Sequence, residues 1–148
     1  MIVTEQTFDV GPADLFGVIS DPYTYPEWLV GTKQIREVSA DWPDPGSFFR
    51  HTVGFGPVAI PDRTDSREVV IPCVLELLVR ARPAIEAVVR FEITIRDGGS
   101  RLRMTETPVG PFKFLAPLAQ PLIRARNERS LRRLKSFVEA QTTKGSVA

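Results

Sequence analysis

The chain has 148 residues, with 19 basic against 18 acidic side chains, and 43% of the residues are hydrophobic. This length suits one domain with one core, and the balanced charge argues against a general binder of nucleic acid or membrane surfaces. No apolar run approaches the roughly 20 residues that a membrane span needs, and acidic residues interrupt the start of the chain where a secretory signal would be apolar, so we expect a cytoplasmic protein.

The start of the chain predicts one strand and two short helices. Polar and apolar residues first alternate, which is typical of a strand whose apolar ends, Ile2 and Phe8, face the core. After Pro12 the apolar residues recur at helical spacing. A second short helix is predicted from Pro22 and ends before Gly31.

Residues 32–107 read as successive strands separated by turns that contain glycine, proline and aspartate. Strands joined by short turns form an antiparallel meander. The alternation is clearest in residues 75–81 and 89–95, where one face is apolar and the other is mainly charged, and in residues 101–107 Leu102, Met104 and Glu106 oppose arginines and threonines. Residues 62–68 are polar on both faces, so the sequence does not predict which of them point inward.

The last part of the chain predicts one long helix, because leucines and other apolar residues recur at intervals of three and four. Pro117 and Pro121 should bend its entry, and we expect a regular helix from about Pro121 to Ala140, roughly 30 Å long. Residues 1–141 are therefore predicted to form a single domain. Residues 142–148 are predicted to be a flexible C-terminal tail.

The single cysteine and the single histidine limit the chemistry of the chain. Cys73 cannot form an internal disulfide or a thiolate cluster, and it is expected to be a small buried residue. His51 cannot belong to a multi-histidine metal site. We predict no metal and no cofactor.

A strongly curved sheet that closes on one helix leaves a void between the two, and such a void is a natural site for a small ligand. Three segments also carry a resemblance to known proteins: Asp21 to Trp28, Met104 to Pro108, and Arg126 to Leu131. With the order of elements, these segments make residues 1–140 resemble the SRPBCC superfamily. That superfamily includes polyketide cyclases and dehydrases, START-related lipid-transfer domains and pollen-allergen-like plant proteins.

The resemblance implies an α+β helix-grip fold. In this fold a curved antiparallel sheet of about seven strands wraps around a long C-terminal helix, and two short helices follow the first strand. It also implies a deep pocket for sterols, polyketides, fatty acyl chains or other hydrophobic molecules. A minority of members catalyse cyclisation or dehydration in that pocket.

The inward faces of the predicted elements supply the candidate ligand-binding residues. These are Trp28, Phe49, His51, Val53, Phe55, Leu77, Val89, Phe91, Met104, Glu106, Leu118 and Leu122. Two of them are polar, and a buried unpaired carboxylate such as Glu106 is costly and typical of functional sites. Glu106 could instead pair with an arginine or a backbone amide, and His51 could be a hydrogen-bonded core or rim residue. The sharper hypothesis makes them an acid/base pair that acts on an enolisable carbonyl.

Three functions follow from these candidates. The first is a carrier or binding protein for a lipid, sterol or polyketide-like molecule, present as a monomer or homodimer. The second is a cyclase or dehydratase-type enzyme that uses Glu106 and His51. In the third, the basic residues 124–135 contact an acidic partner, although such a run is usually a solvated helix face. None of the three involves nucleic acid or integral membrane association.

Overall fold

The computed structural model describes residues 1–54, 56–81 and 85–147, and these residues form one antiparallel sheet with α-helices on its inner side. The strands are β1 (Ile2–Phe8), β2 (Thr32–Val38), β3 (Phe48–Val53), β4 (Ile60–Val70), β5 (Val74–Ala81), β6 (Ile85–Arg96) and β7 (Gly99–Val109). The α-helices are α1 (Pro12–Ile19), α2 (Tyr25–Trp28) and α3 (Ala116–Val147), with short 3-10 helices at Pro22–Thr24 and Lys113–Leu115.

The strands follow the order β1-β7-β6-β5-β4-β3-β2. Every neighbouring pair is antiparallel, so β2 to β7 form a continuous meander and β1 adds to it beside β7. The turn between β6 and β7 is Asp97-Gly98, and both residues have positive φ, 40° and 80°, as a tight two-residue hairpin requires. The predicted α+β helix-grip fold is confirmed, including the two short helices after the first strand.

The core lies between the inner face of the sheet and the helices. The second half of α3 contributes Leu131, Leu134 and Val138, which are buried and recur at intervals of three and four, so they share one face of the helix. This face packs mainly against β1 and α2. No helix in the described ranges combines the length and the apolar composition needed to cross a bilayer.

The helix α3 differs from its predicted bounds at both ends. It begins at Ala116, so Pro117 lies in the first turn, where its missing amide hydrogen is not needed, and Pro121 lies inside the helix. The helix continues to Val147 and so includes most of the segment predicted as a tail. The flexibility of residues 142–148 stays a prediction.

Two residues are exposed where the sequence pattern predicted burial. Cys73 is exposed in the turn between β4 and β5. Ile95 continues the inward phase of β6, yet it is 81% exposed because it lies at the end of the strand, next to the hairpin turn. Alternation identifies the face on which a residue lies, and it does not show how far the core extends along that face.

Candidate functional site

A cavity of about 490 Å³ lies between the inner face of the sheet, the segment that joins α2 to β2, and the middle of α3. This volume falls within the roughly 300–1,000 Å³ typical of small-molecule sites. Most of the wall is apolar. Eight of the residues predicted from the sequence lie in it: Phe49, His51, Val53, Leu77, Val89, Phe91, Met104 and Glu106.

The other predicted residues lie elsewhere. Trp28 is fully buried in the core beside the cavity, with its ring edge-on to Tyr25 and Phe91 at centroid distances of 5.3 and 6.3 Å. Leu118 and Leu122 are 83% and 76% exposed and do not line the cavity. The predicted residue Phe55 lies outside the described residues.

Several residues of the cavity wall were not among the sequence-based candidates. The segment that joins α2 to β2 contributes Leu29 to Thr32, and β6 contributes Ala87. Thr64 lies in the strand whose inward face the sequence left open, and its register opposite Phe49 places it on the inner face. Arg126 lies in the basic run of α3, which the sequence pattern favoured as a solvated helix face.

The strand β4 presents an unusual inner face. Asp62, Thr64 and Ser66 alternate along it, and each is 1–2% exposed. The hydroxyl of Ser66 donates to the carbonyl of Pro43 at 2.7 Å, and Thr64 Oγ1 lies 2.9 Å from His51 Nε2. A buried polar row is stable when its members have hydrogen-bond partners, and here the neighbouring segments provide them.

Glu106 lies in the cavity wall, and its side chain is only 5% exposed. Arg126 Nη2 donates to Glu106 Oε1 at 2.5 Å, and Asn127 Nδ2 donates to the same oxygen at 3.5 Å. Arg126 also donates to Asn127 Oδ1 from Nε and Nη2, at 3.3 and 3.2 Å. The buried carboxylate is thus compensated by an ion pair and a buried amide, as the structural alternative for Glu106 anticipated.

His51 lies in the wall on β3 and is 2% exposed. Its Nε2 contacts Thr64, and its Nδ1 is buried. Burial lowers the pKa of this imidazole, and the charge of Arg36 lowers it further, while the charge of Asp62 and a backbone hydrogen bond with Arg63 oppose the shift. The neutral form of His51 is therefore favoured at neutral pH.

His51 and Glu106 are not joined by any contact among the described residues. They lie on β3 and β7, which are separated in the sheet by β4, β5 and β6. Each has its own partner, Thr64 for His51 and Arg126 for Glu106. A direct acid/base pair is therefore not preformed, and only a ligand that reaches both walls would connect the two groups.

Comparison with known proteins agrees with the fold. A family model described as "Polyketide cyclase / dehydrase and lipid transport" matches residues 1–139. The chain belongs to this family. The resemblance to the SRPBCC superfamily is thereby confirmed. A search of curated proteins found no match.

Solved structures of three differently described proteins are similar to this family member. Ara h 8.0201 has a TM-score of 0.72 at 15% identity, over 94% of this chain and 97% of that one. The di-domain ARO/CYC StfQ from the steffimycin biosynthetic pathway has a TM-score of 0.73 at 13% identity, over 96% of this chain and 51% of that one. The protein of unknown function SA2116 from Staphylococcus aureus has a TM-score of 0.75 at 12% identity, over 96% and 94%. At these identities the likeness concerns the fold.

The lowered pKa of His51 predicts a pH-dependent stability of this polyketide cyclase/dehydrase and lipid transport family member. Because the pKa is lower in the folded state than in the unfolded chain, the unfolded state binds more protons as the pH falls below about 6.5. The free energy of unfolding should thus be highest above that pH and should decrease towards about pH 5, by at most about 1.4 kcal/mol per pH unit. Urea denaturation at a series of pH values measures this slope.

The matched control for this prediction is His51→Gln, which keeps a polar group at the position but does not titrate. Since the chain has one histidine, all other titrating groups are shared by the two proteins. The difference between the two slopes isolates His51. Equal slopes between about pH 7.5 and pH 5 would show that the prediction is wrong.

Proposed function

We propose that this protein binds a small, largely apolar molecule, such as a lipid, a sterol or a polyketide-like compound, and carries it without transforming it. The observation that supports this function is the cavity of about 490 Å³ between the sheet and α3, whose wall is apolar over most of its extent. Removal of apolar ligand surface from water contributes roughly 25 cal/mol per Å² to binding. An apolar ligand of a size that fits the cavity would therefore gain affinity mainly from burial.

The contacts of the polar wall residues favour binding over catalysis. A general acid or base must reach the proton that it transfers, and an acid/base pair must act on the same substrate. The nitrogen Nδ1 of His51 is buried, and Glu106 is held by Arg126. The alternative, a cyclase or dehydratase-type enzyme in the same cavity, predicts that Glu106→Gln and His51→Ala each abolish turnover of a recognised substrate.

The first experiment identifies a ligand directly. Native mass spectrometry of the protein purified from its own host should show a mass above that of the chain, and mild denaturation should release the bound molecule. Calorimetry with the released molecule should then give a negative heat-capacity change of binding, the robust sign of buried apolar surface.

A cavity-filling variant tests where binding occurs. Ala87 lies in the cavity wall on β6 and is 6% exposed, so Ala87→Phe places a phenyl ring where a ligand would lie. We expect the affinity for phenylnaphthylamine, an uncharged apolar fluorescent probe, to fall by at least roughly tenfold. Thr94→Phe is the control, because Thr94 is exposed on the same strand.

Both variants should first be shown to be folded by thermal melting, since the added ring can strain a packed interior. Equal affinity of the probe for Ala87→Phe, Thr94→Phe and the unchanged protein would place binding outside the cavity and contradict the proposed function.

A further inference from the structure

The polar wall group formed by Glu106, Arg126 and Asn127 can form hydrogen bonds beyond those within the group. Both hydrogen bonds that the described residues donate to the Glu106 carboxylate end on Oε1. Its other oxygen, Oε2, has no such bond. On Arg126 the contacts to the described residues use Nε and Nη2. A guanidinium carries five N–H donors, so Arg126 keeps donors to spare.

The charges in the cavity wall are balanced without a ligand. Glu106 and Arg126 neutralise each other. The remaining charged wall residue within the described ranges is Arg80, whose guanidinium contacts Asp65 and lies 3.6 Å from Glu86. The described residues of the wall therefore offer no unpaired charge to an ionic ligand.

We propose that this group selects ligands with a hydroxyl head over otherwise identical ligands with a carboxylate or an ammonium head; the inference rests on the proposed function. A hydroxyl both donates and accepts, so it donates to Glu106 Oε2 and accepts from a free N–H of Arg126. Neither member of the ion pair has to be displaced. The polar head is then held at the β7 and α3 side of the cavity, and the apolar part of the ligand lies against the wall beyond it.

Ionic heads are rejected for a simple electrostatic reason. A carboxylate can accept from Arg126, but it then lies beside the Glu106 carboxylate, whose side chain is only 5% exposed, and the like charges repel each other. An ammonium can donate to Glu106, but it lies beside the Arg126 guanidinium. Specificity of this kind comes from the repelled head as much as from the accepted one.

Asn127 fixes the orientation of the pair. It is fully buried, its Oδ1 accepts from Arg126 and its Nδ2 donates to Glu106. The position of the carboxylate and the guanidinium is thus set before a ligand arrives, which reduces the ordering that binding requires. Asn127 is a positioning residue for the proposed head group.

The test compares four probes that share one naphthalene ring: methylnaphthalene, naphthylmethanol, naphthoate and naphthylmethylamine. Calorimetric or fluorescence titration at pH 7 gives the dissociation constant of each for the folded protein. We expect naphthylmethanol to bind at least roughly tenfold more tightly than naphthoate and naphthylmethylamine. Methylnaphthalene, which has no polar head, should bind measurably and reports on the cavity alone.

The preferred probe should change when one charge of the Glu106–Arg126 ion pair is removed. In Glu106→Gln the arginine is left as the one charge of the pair, so naphthoate should become the preferred probe. In Arg126→Met the carboxylate remains, so naphthylmethylamine should be preferred. Glu5→Gln is the matched control, because it breaks the exposed Glu5–Arg101 ion pair on β1 and β7 and should leave the order of affinities unchanged.

The outcomes separate this inference from the proposed function. If none of the four probes binds, the proposed function fails for ligands of this size. If methylnaphthalene binds and naphthoate or naphthylmethylamine matches naphthylmethanol, the cavity binds apolar molecules and the head-group inference is overturned. Unchanged selectivity in both Glu106→Gln and Arg126→Met would also overturn it, and the two variants together cover the case in which one does not fold.

Discussion

Replacement of Trp28 by alanine is expected to lower the free energy of unfolding by about 3–5 kcal/mol, the range for removal of a large buried aromatic side chain. Trp28 has no exposed surface, and its Nε1 donates to Thr24 Oγ1 at 3.1 Å. Its ring is edge-on to Tyr25 and Phe91, which both line the cavity. The substitution thus removes core volume and also the support behind two cavity residues.

Chemical denaturation of Trp28→Ala and of Tyr23→Ala measures this effect with a matched control. Tyr23 is an aromatic residue of the adjacent 3-10 helix, but it is 64% exposed, so its removal should change stability by less than about 1 kcal/mol. We also expect Trp28→Ala to weaken binding of an apolar probe, because Tyr25 and Phe91 lose the ring that holds them. Similar stabilities of the two variants would contradict the prediction.

Leu134→Ala is expected to destabilise the protein by about 2–5 kcal/mol. Leu134 is fully buried and lies with Leu131 and Val138 on the face of α3 that packs against the core. Because α3 also carries Arg126, loosening the helix should disturb the polar wall of the cavity as well as the core.

Arg132→Ala on the same helix is the control for Leu134→Ala. Arg132 is exposed, and alanine is a good helix former, so its effect on the free energy of unfolding should stay within about 0.5 kcal/mol. Urea denaturation of both variants distinguishes a packed helix from one that contributes little. Equal midpoints would show that the second half of α3 does not anchor the fold.

The main features of the fold were predictable because local patterns and tertiary packing agree. In β7 the alternation of Leu102, Met104 and Glu106 with charged neighbours predicted the inner face, and all three are buried. The same holds for Phe49 and His51 in β3. A strand of this kind has one buried face and one solvated face, so apolar and polar residues alternate along its sequence.

The inner face of β4 was not predictable, because polarity alone does not show where a polar residue will find partners. Asp62, Thr64 and Ser66 are buried although none is apolar. Ser66 bonds to Pro43 and Thr64 to His51, and these partners come from other segments of the chain. The register of β3 against β4 brings His51 close to Thr64, and the segment before β3 brings Pro43 to Ser66.

The first half of α3 shows the reverse, because apolar residues there are exposed. Leu118 and Leu122 recur at helical spacing, which predicts correctly that they share a face of a helix. The spacing contains no information on whether another element covers that face, and here both side chains are exposed. Positions in the cavity wall were therefore predictable on the sheet and not on the helix, where Arg126 rather than a leucine lies in the wall.

One hydrogen bond couples the two sides of the cavity that do not belong to the sheet. The backbone N–H of Val30 donates to Ser130 Oγ at 3.0 Å, and Ser130 is fully buried on α3. Val30 lies in the cavity wall, and Ser130 is one helical turn from Arg126, which also lies in the wall. The bond therefore links the wall segment around Val30 to the part of α3 that lines the cavity. Any displacement of α3 away from the strands must either break this bond or move the main chain at Val30 with the helix, so the bond couples α3 to that connecting segment.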